Sequence, residues 1–291
     1  MRLGALEAGG TKMVCAIGNE NGEIFKREVF LTTTPEETMP KMIAFFKDEQ
    51  IEALGVGSFG PINPNRDRPQ YGYITSTPKL SWQNYDIVGN FEKALQCPIG
   101  FDTDVNAAAL GEAIYGITKG LKNSIYITVG TGIGVGIYAD GKILHGMMHA
   151  EAGHILLHRH PGDTYEGNCP FHKDCLEGLA AGPALFKRWG SKAEALGSRE
   201  EVWELESYYM AQACVNYCMI LSPERIVLGG GVMKQPTLLP LIREKFTALM
   251  AGYISIKEVM DTKNYIVSAS LNDNQGILGC IHLAYLALED S

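Results

Sequence analysis

The chain has 291 residues, of which 46% are hydrophobic and 20% are charged, and its formal net charge is −8. This composition is typical of a globular protein long enough for two lobes, and the acidic balance argues against a nucleic-acid-binding surface. No apolar run reaches the roughly 18 residues of a membrane span, and the first residues lack the apolar segment of a signal peptide. We therefore expect a cytoplasmic protein without nucleic-acid or membrane partners.

The first hundred residues alternate strands with tight turns. Asn21-Gly22 lies between two apolar runs, which is a strong signal for a hairpin. The pattern predicts three strands, a helix with an acidic first turn and then a buried strand, in the stretches RLGALEAG, KMVCAIGNENG, EIFKREVFL, TPEETMPKMIAFFKDEQ and IEALGVGSFGPINP. A mixed α/β fold follows from this order of elements.

A later stretch, NSIYITVGTGIGVGIYADGKILHG, repeats the layout of the first residues: strand, glycine-rich turn, strand, hairpin turn and strand. This internal repeat predicts two similar α/β lobes. We place one lobe at residues 1–117, completed by a helix at 275–291, and the other at residues 118–274.

Two glycine-rich turns follow predicted strands, in EAGGTK and GTGIGVG. Glycine pairs expose consecutive backbone N–H groups to which a phosphate can come close, and Thr11, Lys12 and Thr131 add donors. The alternative is that both are only tight turns. A third run, ERIVLGGGVM, is either a strand-to-helix turn or a flat backbone surface for a nucleoside.

Two carboxylates lie two residues apart in GFDTDVNAAALGEAIYG, which predicts a strand entering a helix. Asp104 falls at the helix start, where the helix dipole favours a carboxylate. It is either a helix N-cap or a general base that accepts the proton of an attacking hydroxyl. Asp102 is the alternative base.

Cys169, His172 and Cys175 are evenly spaced and surrounded by polar residues, unlike Cys214 and Cys218, which we expect to be buried apolar residues of a helix. The even spacing predicts a zinc site, with a redox cysteine pair as the main alternative. The total of seven cysteines is odd, which argues against a disulfide framework.

Together these motifs resemble the ROK family of sugar kinases and repressors, and within it the zinc-containing fructokinases. The resemblance covers essentially the whole chain and is most specific in VGTGIGVGIYADGKILHGMMHAEAGH, residues 129–154. It implies two actin/hexokinase-like (ribonuclease H-like) lobes around a cleft for ATP and Mg²⁺, and a homodimer. Repressors of the family carry a helix-turn-helix before the first glycine-rich strand, which here begins at residue 2, so we expect an enzyme; a non-catalytic sugar sensor is the alternative from a different class.

The resemblance also assigns the site residues. Asp104 matches the catalytic aspartate, which also contacts the sugar. Sugar contacts fall on Glu151, His154 and Glu177, and structural zinc ligands on His154, Cys169, His172 and Cys175, with His149, His158 and His160 as competing ligands. We expect the nucleotide to be bound by Gly9, Gly10, Thr11, Lys12, Thr131, Gly132, Pro183, Gly230, Gly231, Val232 and Met233.

The implied reaction is ATP-dependent phosphorylation of a hexose, D-fructose to fructose 6-phosphate, with glucose, mannose or N-acetylmannosamine as alternative substrates. The stretches SFGPIN and TPKLSWQNYDI are expected to line the sugar pocket. Two positions depart from the family pattern. Glu7 replaces an aspartate, which favours contact with Mg²⁺ through water. Thr103 replaces an asparagine, so we assign no sugar contact to position 103.

Overall fold

The computed structural model describes all residues from 1 to 291. Its strands are β1 (Leu3–Ala8), β2 (Lys12–Gly18), β3 (Ile24–Leu31), β4 (Ala53–Ser58), β5 (Tyr73–Ile74), β6 (Tyr85–Asp86), β7 (Ile99–Thr103), β8 (Ser124–Val129), β9 (Ile133–Ala139), β10 (Lys142–Ile143), β11 (Arg225–Gly229) and β12 (Ile266–Ser268). Its α-helices are α1 (Pro35–Asp48), α2 (Ile87–Leu95), α3 (Asp104–Tyr115), α4 (Leu176–Ala180), α5 (Gly182–Trp189), α6 (Glu200–Leu221), α7 (Leu238–Met250), α8 (Lys257–Met260), α9 (Thr262–Tyr265) and α10 (Gln275–Glu289).

The mixed α/β prediction is confirmed. The three opening strands, the first helix and the following buried strand appear as β1, β2, β3, α1 and β4. The strand entering a helix appears as β7 and α3, and the glycine-rich hairpin of the repeat as β8 and β9. None of the helices combines the length and apolar character needed to cross a bilayer.

The chain forms two compact units. Unit 1 comprises residues 1–120, 142–150 and 270–291, and unit 2 comprises residues 121–141 and 151–269. The sequence predicted one lobe at residues 1–117 with 275–291 and another at residues 118–274. These lobe bounds stay a prediction.

Unit 1 is built on a five-stranded sheet with the order β3-β2-β1-β4-β7. Strands β1 and β2 form an antiparallel hairpin, whereas β4 and β7 run parallel to β1. One face packs against α1 and α2 through Met42, Phe46 and Phe91, and the other against α10 through Ile277 and Ile281. Because both faces are covered, β1 and β4 consist almost entirely of buried residues.

Unit 2 repeats this layout. Strands β8 and β9 are antiparallel, and β11 and β12 extend the sheet in parallel beside β8, so this unit's strands have the order β9-β8-β11-β12. Gly230 follows β11 with a φ of +91°, and a Cβ there would lie 2.4 Å from the carbonyl oxygen of Val129. Only glycine fits this turn. Helix α6 packs its buried side chains into the core of the unit, and Cys214 and Cys218 lie among them as predicted.

Candidate active site and metal centre

The end of β7 places Asp104 as the first residue of α3. Thr103 is the N-cap, because its backbone is extended and its hydroxyl oxygen accepts a hydrogen bond of 3.0 Å from the Asn106 N–H. The interpretation of Asp104 as the N-cap is therefore wrong. Its carboxylate accepts from the Val105 N–H at 2.9 Å, which fixes the side chain at the start of the helix.

Burial of Asp104 raises its pKa to about 6, and backbone hydrogen bonds from Val105 and from its own N–H act in the opposite direction. At pH 7 such a carboxylate is mostly ionised, yet it is basic enough to accept a proton. This combination suits a general base, whose pKa is best placed near the working pH.

Asp102, the alternative base, is 3% exposed and has partners for both carboxylate oxygens. Its Oδ1 accepts from the Thr103 N–H and from the Asn106 side-chain amide, each at 2.7 Å. Its Oδ2 lies 2.8 Å from Nε2 of His145. A carboxylate with these contacts braces the junction between β7 and α3 at Asp104, and both of its oxygens already have protein partners.

The first glycine-rich turn lies between β1 and β2. The Gly9 N–H donates to the Lys12 carbonyl at 3.0 Å, and the hydroxyl of Thr32 donates to the Gly9 carbonyl at 2.7 Å. A Cβ added at Gly10 would lie 3.5 Å from Cε of Lys79, so two lysines flank this turn.

Glu7 ends the same strand, next to this turn. Its burial raises its pKa to about 7; the charge of Asp104 adds to this rise, while Lys12 and Arg27 oppose it. The carboxyl group packs against the start of α10, since a Cβ on Gly276 would lie 2.8 Å from it. Two neighbouring carboxylates that are costly to ionise are a donor set suited to a hard divalent cation.

The second glycine-rich turn, residues 130–132, is tied to the start of α5. The Gly182 N–H donates to the Gly130 carbonyl at 2.8 Å, and Gly182 lies close to Val232 of the third glycine run. Gly230 of that run abuts the backbone of Val129. Within unit 2, the structure thus brings together the segments that contain Thr131, Gly132, Pro183, Gly230, Gly231, Val232 and Met233.

Glu177, expected from the family resemblance to contact the sugar, is bound to this second turn. Its Oε2 accepts from the Ile133 N–H at 3.0 Å, and its Oε1 lies 4.0 Å from Nε2 of His154. A Cβ on Gly132 would lie 2.6 Å from Oε2. Glu177 therefore joins the loop of His154 to the glycine-rich turn.

The four predicted metal ligands converge. The ligand atoms of His154, Cys169, His172 and Cys175 all lie within 4.8 Å of one another. Nδ1 of His154 is 3.4 Å from Sγ of Cys175 and 3.8 Å from Sγ of Cys169, and Nδ1 of His172 is 3.7 Å from Sγ of Cys169. In a tetrahedral zinc site a sulfur and a nitrogen ligand are about 3.6 Å apart, as bond lengths of about 2.3 and 2.05 Å require.

The competing histidines do not enter this cluster. Nε2 of His149 instead accepts from the Ile62 N–H at 3.1 Å.

All seven cysteines are free, so no disulfide links Cys169 to Cys175. Without a metal, burial raises the pKa of the Cys175 thiol to about 12. Two thiols and two imidazoles in this arrangement fit a closed Zn²⁺ shell.

Hydrogen bonds hold the segment that contains Glu151. The His154 N–H donates to the Glu151 carbonyl at 3.0 Å, and the hydroxyl of Tyr217 donates to the Ala152 carbonyl at 2.6 Å. Glu151 itself is exposed. Its carboxylate is thus carried on a short segment that these two hydrogen bonds hold in place.

Sequence reasoning missed His145 altogether, and it missed the positions of Lys79 beside Gly10 and of His149 against Ile62. Each contacts a partner that is distant in sequence, which the local pattern does not reveal. Lys79 does lie in TPKLSWQNYDI, which was expected to line the sugar pocket.

Known proteins are similar to this chain in sequence and in structure. Residues 3–286 match the family model described as "ROK family". The chain is 48% identical to a fructokinase of Pediococcus pentosaceus over 100% of both chains, and 46% identical to a fructokinase of Lactococcus lactis subsp. cremoris over 97% of this chain and 96% of the relative. The ROK hexokinase from Thermus thermophilus has a similar structure, with a TM-score of 0.81, 26% identity and full coverage of both chains.

Proposed function

Because the chain belongs to the ROK family, we infer that it is an ATP-dependent hexose kinase that converts D-fructose to fructose 6-phosphate. The choice of fructose rests on relatives named fructokinases, which are 46% to 48% identical to this chain over almost its whole length. Asp104 is the structural observation that favours a kinase over a non-catalytic sugar sensor. It is a carboxylate with a pKa of about 6, held at the start of α3.

In the proposed reaction, Asp104 accepts the proton of the sugar hydroxyl as that oxygen attacks the γ-phosphorus of ATP. The bond from the γ-phosphorus to the bridging oxygen breaks, and ADP leaves with that electron pair. In phosphoryl transfer the protein mainly positions the reactants and stabilises charge, so a single well-placed base is sufficient. The backbone braces of Asp104 support this positioning.

The glycine-rich turns are proposed to hold the nucleotide. Gly9, Gly10, Thr11 and Lys12 in unit 1, and Thr131 and Gly132 in unit 2, offer backbone N–H groups, hydroxyls and a cation to the phosphates. Gly230–Met233 is proposed to face the nucleoside, with Pro183 near the base. Glu7 is the residue proposed to hold Mg²⁺, through water; the ion, when bound, neutralises charge on the phosphates.

The metal cluster is proposed to be a structural zinc site, with His154, Cys169, His172 and Cys175 as ligands. Zinc, when bound, closes a four-ligand shell and adds no open position for chemistry. Glu151 and Glu177 then lie on restrained segments, from which they and His154 are proposed to hydrogen-bond the sugar hydroxyls. Asp104 is proposed to contact the hydroxyl that reacts.

A coupled assay of ADP release over a panel of hexoses tests this function. We expect kcat/KM for fructose to exceed the values for glucose, mannose and N-acetylmannosamine, with fructose 6-phosphate as the product by NMR. A preference for another hexose would change the proposed substrate but not the proposed reaction, phosphoryl transfer from ATP. Absence of ATP turnover with every hexose, in protein that still binds sugar, would favour the sugar sensor.

We also propose a homodimer and a cytoplasmic location, as expected from the sequence and the family resemblance. Sedimentation equilibrium at micromolar concentration should give about twice the chain mass of 31.8 kDa. A single species at the chain mass over that range would contradict the dimer. The same experiment in the presence of a chelator shows whether assembly depends on the metal.

A further inference from the structure

Two histidines hold the segment 145–149 on unit 1. Nε2 of His145 lies 2.8 Å from Oδ2 of Asp102, and Nε2 of His149 accepts from the Ile62 N–H at 3.1 Å. The two histidines also face one another across an antiparallel bridge. We call this pair the histidine clasp.

The first half of the clasp acts on the junction between β7 and α3, where the proposed base Asp104 lies. Asp102 is buried and uses its other oxygen to hold the Thr103 N–H and the Asn106 side chain, which lie on either side of Asp104. If His145 were removed, Oδ2 of a buried carboxylate would lose its partner. The cost of such a loss is generally several times that of an exposed hydrogen bond, so the backbone around Asp104 would shift or loosen.

The second half acts on the loop Gly60-Pro61-Ile62. The ring of His149 packs close to Gly60, since a Cβ there would lie 3.4 Å from Cε1 of the histidine. This loop belongs to SFGPIN, which was expected to line the sugar pocket. The segment that carries the clasp runs directly into Glu151, a proposed sugar contact.

We propose that His145 is a positioning residue for phosphoryl transfer: through Asp102 it sets the placement of Asp104, and with His149 it fixes the chain that leads to Glu151. This inference rests on the proposed kinase function and adds a residue outside the glycine turns, the base and the metal cluster. It assigns His145 no direct contact with either substrate.

The charges around His145 give the clasp a pH dependence. Its hydrogen bond to Asp102 raises its pKa, whereas partial burial opposes that rise. The titratable groups that act on it are Asp102 from β7 and His149 from its own segment, and burial lowers the pKa of His149. A base with a raised pKa contributes its full stabilisation below its ordinary pKa and loses it as pH rises through the raised value.

Kinetics of His145 variants test the inference. We expect His145→Ala to lower kcat about tenfold and to raise KM for fructose, with KM for ATP unchanged within about twofold, because a small misplacement of a reacting group costs up to about 10²-fold. His145→Gln can still donate from its amide to Asp102, so it should retain kcat within about threefold at pH 7. The exposed His158→Gln serves as the matched control and should behave as wild type.

The pH profile separates this role from a merely structural one. In wild type, KM for fructose should rise about threefold between pH 7 and 9, the range expected for loss of a partly exposed ion pair. In His145→Gln this rise should be absent. NMR titration of the wild-type imidazoles should show one raised pKa that is missing from the spectrum of His145→Gln, a readout that does not depend on activity.

The inference is overturned if His145→Ala matches wild type in kcat and KM, or if His145→Gln keeps the wild-type pH profile. It is also overturned if no imidazole signal with a raised pKa disappears in His145→Gln. If His145→Ala does not fold, His145→Gln and the NMR titration decide alone. Absence of hexose kinase activity in the wild type would refute the proposed function, whereas the NMR result would still test the contact between His145 and Asp102.

Discussion

The neighbouring carboxylates Asp102 and Asp104 show how local contacts assign different roles to like residues. Asp102 has partners on both oxygens, whereas Asp104 keeps only backbone hydrogen bonds and has a pKa of about 6. A base must have a free oxygen and a pKa close to the working pH. Asp104 has such a pKa, whereas both oxygens of Asp102 already have protein partners.

Replacing Asp104 by Asn should therefore remove most of the turnover. We expect kcat to fall by about 10²–10⁴, the range for loss of general-base catalysis, with the dissociation constants for fructose and ATP within about threefold of wild type. Steady-state kinetics and calorimetry measure the two effects separately. Asp140→Asn, in an exposed turn, is the matched control. Wild-type kcat in Asp104→Asn, together with lost turnover in Asp102→Asn, would move the base to Asp102.

At the scale of elements, α10 depends on glycine to reach its neighbours. A Cβ on Gly279 would lie 1.7 Å from the carbonyl oxygen of Ala107 in α3. No side chain can occupy that space without moving a backbone, so the helices pack at a distance that only glycine allows. This packing brings the start of α10 against Glu7.

Gly279→Ala should consequently destabilise the protein, although alanine favours helix. Overpacking of a tight core typically costs about 1–3 kcal/mol, which exceeds the gain of about 1 kcal/mol from helix propensity. Urea unfolding followed by circular dichroism gives the difference. Gly162→Ala is the control, because its Cβ would be 3.6 Å from the nearest atom, an ordinary contact. Equal stability of the two variants would show that α10 can shift at no cost.

The loop of residues 151–177 has few regular elements and contains the four proposed zinc ligands, His154, Cys169, His172 and Cys175. Cys175→Ser should release zinc, because it removes one of four ligands. We expect KM for fructose to rise, as Glu151 and Glu177 lose their anchor, and KM for ATP to change little. Cys97→Ser, outside the cluster, should retain the metal.

Elemental analysis of the purified protein is the direct measurement. We expect about one zinc per chain in wild type and in Cys97→Ser, and far less in Cys175→Ser. A metal in an open catalytic position would instead abolish kcat on its loss and leave fructose binding intact. Full activity after chelation would contradict an anchoring role.

For the molecule as a whole, the sequence predicts features that are local. Glycine pairs after apolar strands predict the turns of both units, and these are found at Gly9–Lys12 and residues 130–132. The spacing of Cys169, His172 and Cys175 likewise predicts a cluster within a few residues. Naming His154 as the expected fourth ligand required the family resemblance, since the spacing alone left several histidines as candidates.

Contacts between distant segments escape such reasoning. His145 meets Asp102 and Glu177 meets Ile133 through single hydrogen bonds that leave no periodic pattern in the sequence. The interpretation of Asp104 as the N-cap of α3 was wrong for a different reason. Thr103 and Asp104 are both good capping residues, and only the extended backbone of Thr103 decides between them. Long-range polar contacts and backbone angles are properties of the folded chain.

Stability of the whole molecule should depend on pH through a carboxyl group that no catalytic proposal uses. Glu206 in α6 is fully buried, and neither carboxylate oxygen has a hydrogen-bond partner. Burial raises its pKa to about 8, against a weaker opposing effect of Arg188. The folded protein therefore keeps this proton at neutral pH, whereas the unfolded chain releases it above its ordinary pKa of 4.5.

Because the folded state binds this proton more tightly than the unfolded chain, the free energy of unfolding falls as pH rises from 4.5 to 8. Glu206→Gln removes this loss because its amide does not ionise. We expect Glu206→Gln to match wild type within about 1 kcal/mol at pH 5 and to exceed it by on the order of 1–3 kcal/mol at pH 8. Denaturant unfolding at both pH values measures this, with the exposed Glu200→Gln as the control. A stability difference that is the same at pH 5 and pH 8 would show that Glu206 is ionised in the folded protein, held by water or by Arg188.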